Sequence, residues 1–176
     1  MSVAYRSAVA FIAAVALYLI AIPATTTPAS ARGDVVAFNG EASPGTIVVR
    51  TGERRLYFVL GQGRALVYPV GVGRVGRQWA GRAVISGKHV RPAWAPPPDI
   101  AKEHPGLARV IPGGSPQNPM GVAAMTLSGG DYAIHGTNNP GSIGGFVSYG
   151  CIRMYNQDIT DLFDRVSVGT PVIVSR

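Results

Sequence analysis

Two residues whose side chains can act together as a nucleophile and its base, Cys151 and His135, lie 16 positions apart in this chain. Cys151 is the only cysteine, and it belongs to the run Ser148-Tyr149-Gly150-Cys151-Ile152-Arg153. A single thiol has no internal disulfide partner, so it is inert, linked to another molecule, or reactive. The adjacent glycine, the arginine two residues on and the histidine favour a reactive thiolate that attacks a carbonyl.

The first 31 residues have the pattern of a secretory signal peptide. A short stretch with one arginine precedes an almost wholly apolar run over residues 7–22, and Ala29-Ser30-Ala31 matches the small-x-small cleavage pattern. We therefore expect cleavage after Ala31 and an exported protein of the periplasm or cell envelope, with no membrane span after cleavage. Retention of the segment as an N-terminal anchor is the alternative.

The composition indicates one globular domain without a nucleic-acid partner. The chain has 176 residues, of which 47% are hydrophobic, as in an ordinary packed core. Residues 32–176 carry 15 Lys and Arg against 9 Asp and Glu, and the basic residues are scattered rather than clustered. Scattered charge argues against nucleic-acid binding. The net positive charge is either a solvated basic face without a function or, in an exported protein, a source of weak attraction to anionic lipids and cell-wall polymer.

Short β-type runs follow an expected flexible lead-in over residues 32–43. Runs at residues 46–50, 56–60 and 65–70 are separated by glycine-containing turns and predict a β-meander. Further strands are predicted at residues 83–88, 122–127, 132–135 and 170–174. The proline-rich stretch over residues 91–100 cannot continue a sheet ladder, because proline lacks the N–H donor.

One helix is predicted directly after Cys151. Asn156 can cap its start and Gly169 can end it, and apolar residues recur at helical spacing between them, at Ile159, Leu162, Phe163 and Val166. The cysteine is therefore expected on a loop or strand end. The prediction is a mainly β fold: one sandwich- or barrel-like domain over residues 44–176, with this helix and little other helix.

Two other site patterns fail on their context. Gly71-Val72-Gly73-Arg74-Val75-Gly76 matches the G-x-G-x-x-G dinucleotide pattern, but no helical periodicity follows it. His89, His104 and His135 are widely separated, and one cysteine cannot supply the paired spacing of a zinc site. We expect turns at these glycines and no metal.

A longer motif surrounds the two reactive residues. It reads His135-Gly136-Thr137-Asn138, then Gly144, then Ser148-x-Gly150-Cys151-Ile152-Arg153-Met154, then Asn156-x-Asp158. This motif resembles the signature of the L,D-transpeptidase catalytic domain family, whose fold is called YkuD-type. The resemblance extends over about residues 44–174 and includes Trp79-Ala80-Gly81 and Pro92-Ala93-Trp94-Ala95-Pro96-Pro97.

The resemblance implies a role for each residue around the thiol. Cys151 would be the nucleophile and His135 the general base and acid, with the Gly136 backbone carbonyl orienting the imidazole. The backbone N–H groups of Gly150 and Cys151 are the expected oxyanion hole, because a glycine lets the backbone approach the reacting carbonyl.

Four further residues are expected at the substrate site. Arg153 would stabilise the thiolate or bind a substrate carboxylate; an ion pair with Asp158 or another acid is the alternative. Asn138, Ser148 and Tyr149 are expected to contact substrate, with Asn138 and Ser148 mainly shaping their loops.

The implied substrate is the peptidoglycan stem tetrapeptide. Cys151 would attack the carbonyl that joins a diamino acid to the terminal D-Ala, release D-Ala and form a thioester. A stem amine would resolve it into a 3→3 cross-link, water would give carboxypeptidase activity, and a lysine of an envelope protein would give anchoring. No metal or organic cofactor is required, and carbapenem-type β-lactams should acylate the thiol.

Three alternatives are weighed against this interpretation. NlpC/P60-type hydrolases place cysteine before histidine, and sortases place histidine much further upstream, so the order and spacing here argue against both. An inactive wall-binding or scaffold domain is the non-enzymatic alternative.

Many family members carry a second histidine where this chain has Tyr149, so any role of that histidine is vacant here. The oligomeric state has no sequence signal.

Overall fold

The computed structural model describes residues 33–176. The predicted signal peptide, residues 1–31, lies outside the described residues. Among the helices of the described part, none is long and apolar enough to cross a membrane.

The predicted meander is present, and it begins earlier than expected. Strands β2 (Ile47–Arg50), β3 (Arg55–Gly61) and β4 (Arg64–Pro69) pair antiparallel in order. Strand β1 (Asp34–Ala37) pairs with the other edge of β4. The prediction of a flexible lead-in with regular structure starting at residue 46 is therefore wrong. The segment is ordered because it completes the β4 edge and buries Phe38.

Five further strands extend the meander into one sheet of nine strands. They are β6 (Gly81–Val90), β7 (Ala123–Leu127), β8 (Ala133–His135), β10 (Ile152–Arg153) and β11 (Pro171–Ser175), in the order β1-β4-β3-β2-β11-β6-β7-β8-β10. Strand β6 pairs with β11 through its first residues and with β7 through its last, with a register shift between Ile85 and Gly87. This shift lets one strand join the two halves of the sheet. Strands β5 (Val72–Gly73) and β9 (Phe146–Ser148) form a separate parallel pair.

The described residues have two buried hydrophobic clusters, and the larger one joins the sheet to helix α2 (Asn156–Arg165). Helix α2 packs against β7 and buries the predicted apolar positions Ile159 and Leu162 completely. The core members from the sheet include Val49, Leu56, Tyr68, Ile85, Met125, Ile134 and Ile152. The predicted mainly β fold is confirmed.

Three details of the helices differ from the predictions. A short helix, α1 (Pro98–Glu103), lies in the proline-rich stretch; its prolines occupy the start, where no N–H is needed. Asn156 is the first residue of α2 rather than its cap, because its Oδ1 accepts from the backbone N–H of Thr137 at 3.0 Å. Helix α2 ends at Arg165, before Gly169.

Candidate active site

Two parallel strand ends bring the predicted reactive residues together. Strand β10 pairs with β8 so that Arg153 is the register partner of His135. Cys151 lies immediately before β10, two residues before Arg153. The charge of Arg153 acts on both the Cys151 thiol and the His135 ring, so the three residues belong to one region at the ends of β8 and β10. The prediction that the cysteine lies on a loop or strand end, and not within a helix, is confirmed.

His135 is buried and neutral at neutral pH. Its Nδ1 lies 2.6 Å from the Gly136 carbonyl oxygen, which can only accept, so in the neutral ring Nδ1 carries the proton and Nε2 the lone pair. A backbone hydrogen bond to Pro119 also favours the protonated ring. Burial, together with the positive charge of Arg153, lowers the pKa of His135 to about 4. The ring is thus an unprotonated base with a fixed tautomer.

Cys151 is a neutral thiol in this state. It is partly exposed, and its Sγ makes a long contact of 4.0 Å with the Asp131 carbonyl oxygen. Desolvation raises the pKa of the thiol, and the Ala133 backbone and the Arg153 charge only partly offset that rise. A neutral thiol beside a neutral imidazole requires proton transfer at the moment of attack rather than a preformed ion pair.

Arg153 has no acidic partner among residues 33–176. The salt bridges of this part of the chain involve other arginines, so the alternative of an ion pair with Asp158 is wrong. One Nη of Arg153 reaches the Ser142 hydroxyl at 3.5 Å, and the Nε is buried without a hydrogen-bond partner in the described residues. Arg153 therefore contributes a partly buried positive charge close to the thiol, without a neutralising carboxylate in the described residues.

Ser148 organises the loop that carries the thiol. Its hydroxyl donates to the Cys151 carbonyl at 2.6 Å and accepts from the Gly150 N–H at 3.1 Å. The Gly150 N–H is therefore occupied, which contradicts its predicted place in an oxyanion hole. The Cys151 N–H makes no backbone hydrogen bond in the described residues, which leaves it as the available donor.

Two aromatic residues that the sequence did not single out as site residues contact the same loop. The Trp79 Nε1–H donates to the Gly150 carbonyl at 3.0 Å. The Trp79 and Tyr132 rings are stacked, with centroids 4.9 Å apart and an interplanar angle of 7°. Gly150 has φ of 124°, and a Cβ there would collide with the Tyr132 ring. In the sequence, the only signal at Trp79 is that it belongs to the motif shared with the family.

Asn138 and Tyr149 point to different neighbours. The Asn138 amide donates to the Pro116 carbonyl at 3.1 Å and lines a cavity of about 540 Å³ whose walls include neither Cys151 nor His135. The Tyr149 hydroxyl donates to Glu103 of α1, and its ring lies 4.1 Å below the Arg74 guanidinium.

The structure also bears on the two site types that the sequence argued against, a dinucleotide-binding loop and a metal site. Gly73 is in β5 and Gly76 has φ of 80°, as in a turn, so the glycine-rich run is not a strand–helix phosphate loop. Residues 33–176 contain no group of three or more His, Cys, Asp or Glu side chains placed to bind a metal.

Comparison with known proteins identifies the family. The family model for the L,D-transpeptidase catalytic domain, YkuD, matches residues 44–174. Among curated proteins, "Probable L,D-transpeptidase ErfK/SrfK" of Escherichia coli K12 is 42% identical over 135 residues, which is 72% of this chain and 42% of the relative. "Probable L,D-transpeptidase YbiS" of the same strain is 39% identical over 135 residues, with 72% of this chain and 43% of the relative covered. The chain belongs to the L,D-transpeptidase catalytic domain family.

Solved structures show the same fold at low sequence identity. An L,D-transpeptidase of Mycobacterium smegmatis superposes with a TM-score of 0.59 at 19% identity, covering 74% of this chain and 58% of that one. The catalytic domain of an Enterococcus faecium L,D-transpeptidase acylated by ertapenem has a TM-score of 0.58 at 20% identity, covering 77% of this chain and all of that one. The chain spans less than half the length of the curated relatives ErfK/SrfK and YbiS.

Proposed function

We propose that this protein is an exported L,D-transpeptidase that acts on the tetrapeptide stems of peptidoglycan. The observation that supports the proposal is the β8–β10 register, in which Arg153, two residues after Cys151, is the partner of His135 and has no acidic partner among residues 33–176. Family membership over residues 44–174 supports the same reaction class.

His135 acts as the base in the first half of the reaction. As Sγ bonds to the carbonyl carbon of the diamino acid, the thiol proton passes to Nε2. The carbon–nitrogen bond to D-Ala then breaks, and the imidazolium returns the proton to the leaving amine. A thioester on Cys151 and free D-Ala are the products.

The second half regenerates the thiol. An amine attacks the thioester carbonyl, gives its proton to His135, and the departing sulfur takes that proton back. A stem amine forms a 3→3 cross-link, water gives carboxypeptidase activity, and an envelope protein's lysine gives attachment to peptidoglycan. The stem amine is the main acceptor that we propose.

Two groups near the thiol bind charge in this mechanism. The free Cys151 N–H is the oxyanion donor for the tetrahedral intermediates. The Arg153 guanidinium, which has no acidic partner among residues 33–176, binds a carboxylate of the donor stem peptide. The Gly136 carbonyl keeps the His135 ring in the tautomer that can accept a proton.

Acylation by a β-lactam is a second expected reaction of the same thiol. The Enterococcus faecium relative carries an ertapenem-derived acyl group. An attack on the strained lactam carbonyl uses the same nucleophile, base and oxyanion donor. This reaction supplies a convenient assay, since each acylation adds a defined mass.

The decisive experiment incubates the protein with disaccharide-tetrapeptide and analyses the products by mass spectrometry. Loss of D-Ala with a 3→3 dimer in wild type, and neither product with Cys151→Ala or His135→Asn, is the expected result. His89→Asn, at an exposed histidine of β6, is the matched control and should retain activity. Absence of both products in wild type, or undiminished products from Cys151→Ala, would refute the proposal.

A further inference from the structure

We infer that Trp79 is a positioning residue for the oxyanion donor, acting through the peptide bond between Gly150 and Cys151. This inference rests on the proposed function, because it concerns the acylation step. The Trp79 indole N–H donates to the Gly150 carbonyl at 3.0 Å, across a sequence separation of 71 residues.

The geometry of a trans peptide carries the argument. The Gly150 C=O and the Cys151 N–H belong to one planar unit and point in opposite directions. A hydrogen bond that fixes the carbonyl therefore also fixes the direction of the N–H at the other end of the unit. Trp79 contacts the peptide on the carbonyl side, so the Cys151 N–H is directed away from the indole.

The other polar backbone groups of Gly150 and Cys151 already have hydrogen-bond partners. Ser148 accepts from the Gly150 N–H and donates to the Cys151 carbonyl. Trp79 takes the Gly150 carbonyl, so three of the four polar backbone groups of Gly150 and Cys151 are bound within the protein. The fourth, the Cys151 N–H, is the one without a backbone partner in the described residues. The loop thus presents one free donor in a fixed direction beside Sγ, as electrostatic stabilisation of an oxyanion requires.

Packing explains why a tryptophan performs this role. The stacked Tyr132 ring, 4.9 Å from the Trp79 ring, also contacts Gly150 so closely that a Cβ at that position would collide with it. The aromatic pair therefore restricts the position of Gly150 by direct contact. The indole N–H separately orients the Gly150 carbonyl. Removing only the indole N–H should leave the contact of the stacked rings with Gly150 in place.

The test compares two reactions of Cys151 in full-length Trp79→Phe. Acylation by a carbapenem needs the oxyanion donor, whereas alkylation by iodoacetamide is a displacement at carbon that develops no oxyanion. Intact-mass spectrometry follows both rates. We expect the acylation rate of Trp79→Phe to be about 10- to 100-fold lower than that of wild type. The alkylation rate should stay within about twofold of wild type at each pH. Trp94→Phe is the matched control, since its indole N–H donates no hydrogen bond in residues 33–176.

Each outcome distinguishes the two proposals. Wild type that is acylated, with Trp79→Phe acylated at the same rate, overturns the inference and leaves the proposed function standing. Wild type that is alkylated but is neither acylated by the carbapenem nor releases D-Ala from disaccharide-tetrapeptide overturns the proposed function and the inference with it. If Trp79→Phe does not fold, benzothienylalanine at position 79 removes the N–H from an otherwise isosteric ring, and the same comparison of rates applies.

Discussion

The Tyr149 hydroxyl donates a 2.5 Å hydrogen bond to Glu103, which joins the last residue of helix α1 to the loop two residues before the nucleophile. Arg74 donates to the same carboxylate at 2.9 Å and lies over the Tyr149 ring. Arg77 adds a salt bridge of 2.8 Å to Asp99 at the other end of α1. Exposed polar contacts, rather than a buried apolar face, therefore fix α1 against the site loop, since none of its residues is buried.

Breaking the Tyr149–Glu103 contact should loosen α1 without unfolding the domain. In Tyr149→Phe or Glu103→Gln we expect faster amide hydrogen exchange across residues 98–104 and a nearly unchanged free energy of unfolding, because exposed ion pairs contribute little to global stability. Glu53→Gln is the matched control, since Glu53 also accepts from a tyrosine, Tyr57, and pairs with an arginine, Arg50, in another part of the fold. Unchanged exchange at residues 98–104 in both site variants would show that other contacts hold α1.

The rate of carbapenem acylation should fall in acid only at a pH well below the ordinary pKa of a histidine. The free base form of His135 is required, and burial with the Arg153 charge lowers its pKa to about 4. The rate constant for carbapenem acylation per mole of free enzyme should therefore persist at pH 5.5 and fall only as the pH approaches 4. Stopped-flow measurement across this range checks it. A half-maximal rate near pH 6.5 would mean that the imidazole is accessible to water.

Arg153→Met should separate stability from activity. The substitution removes a partly buried, unpaired guanidinium, so we expect the free energy of unfolding to rise by about 1 kcal/mol. Loss of the carboxylate anchor should reduce tetrapeptide turnover at least about 10-fold. It should also raise the pKa of His135, because the Arg153 charge lowers it, and move the acid limb upward. Lower stability or an unmoved acid limb would contradict this account.

Asp158→Asn should stabilise the protein at neutral pH and much less in acid. Burial, then the charges of Asp161 and Asp34, raise the pKa of Asp158 to about 6. A raised carboxyl pKa means that the native state prefers the protonated form, so wild type loses stability as the pH rises from about 4 through 6. We expect a gain of about 1–2 kcal/mol at pH 7.5 after allowing for partial solvent exposure.

Urea unfolding at pH 4 and pH 7.5 checks the Asp158 prediction. The gain should be much smaller at pH 4, where the native carboxyl is protonated and the unfolded one is about half ionised. Asp164→Asn, at an exposed position of the same helix, is the control and should give little change at either pH. An equal gain at both pH values would point to packing or helix propensity as the cause instead of ionisation.

Local patterns in the sequence predicted most of the strands and helix α2. The β2–β4 meander follows from alternating runs between glycine turns, and α2 follows from the spacing of Ile159 and Leu162. The lead-in and helix α1 were missed because neither has such a pattern. Strand β1 is ordered by pairing with β4, and α1 is fixed by side chains from distant loops.

The sequence by itself determined the reactive pair and the family, because Cys151, His135 and their flanking glycines form a motif readable within about 20 residues. Only the tertiary structure decided which groups around that pair are occupied. It directs the Gly150 N–H to Ser148, the Gly150 carbonyl to Trp79 and Tyr149 to Glu103, and it leaves Arg153 without an acidic partner. The Trp79 and Tyr149 contacts join residues 71 and 46 positions apart. Contacts over such distances depend on how the whole chain packs, and no local pattern of residue types encodes them.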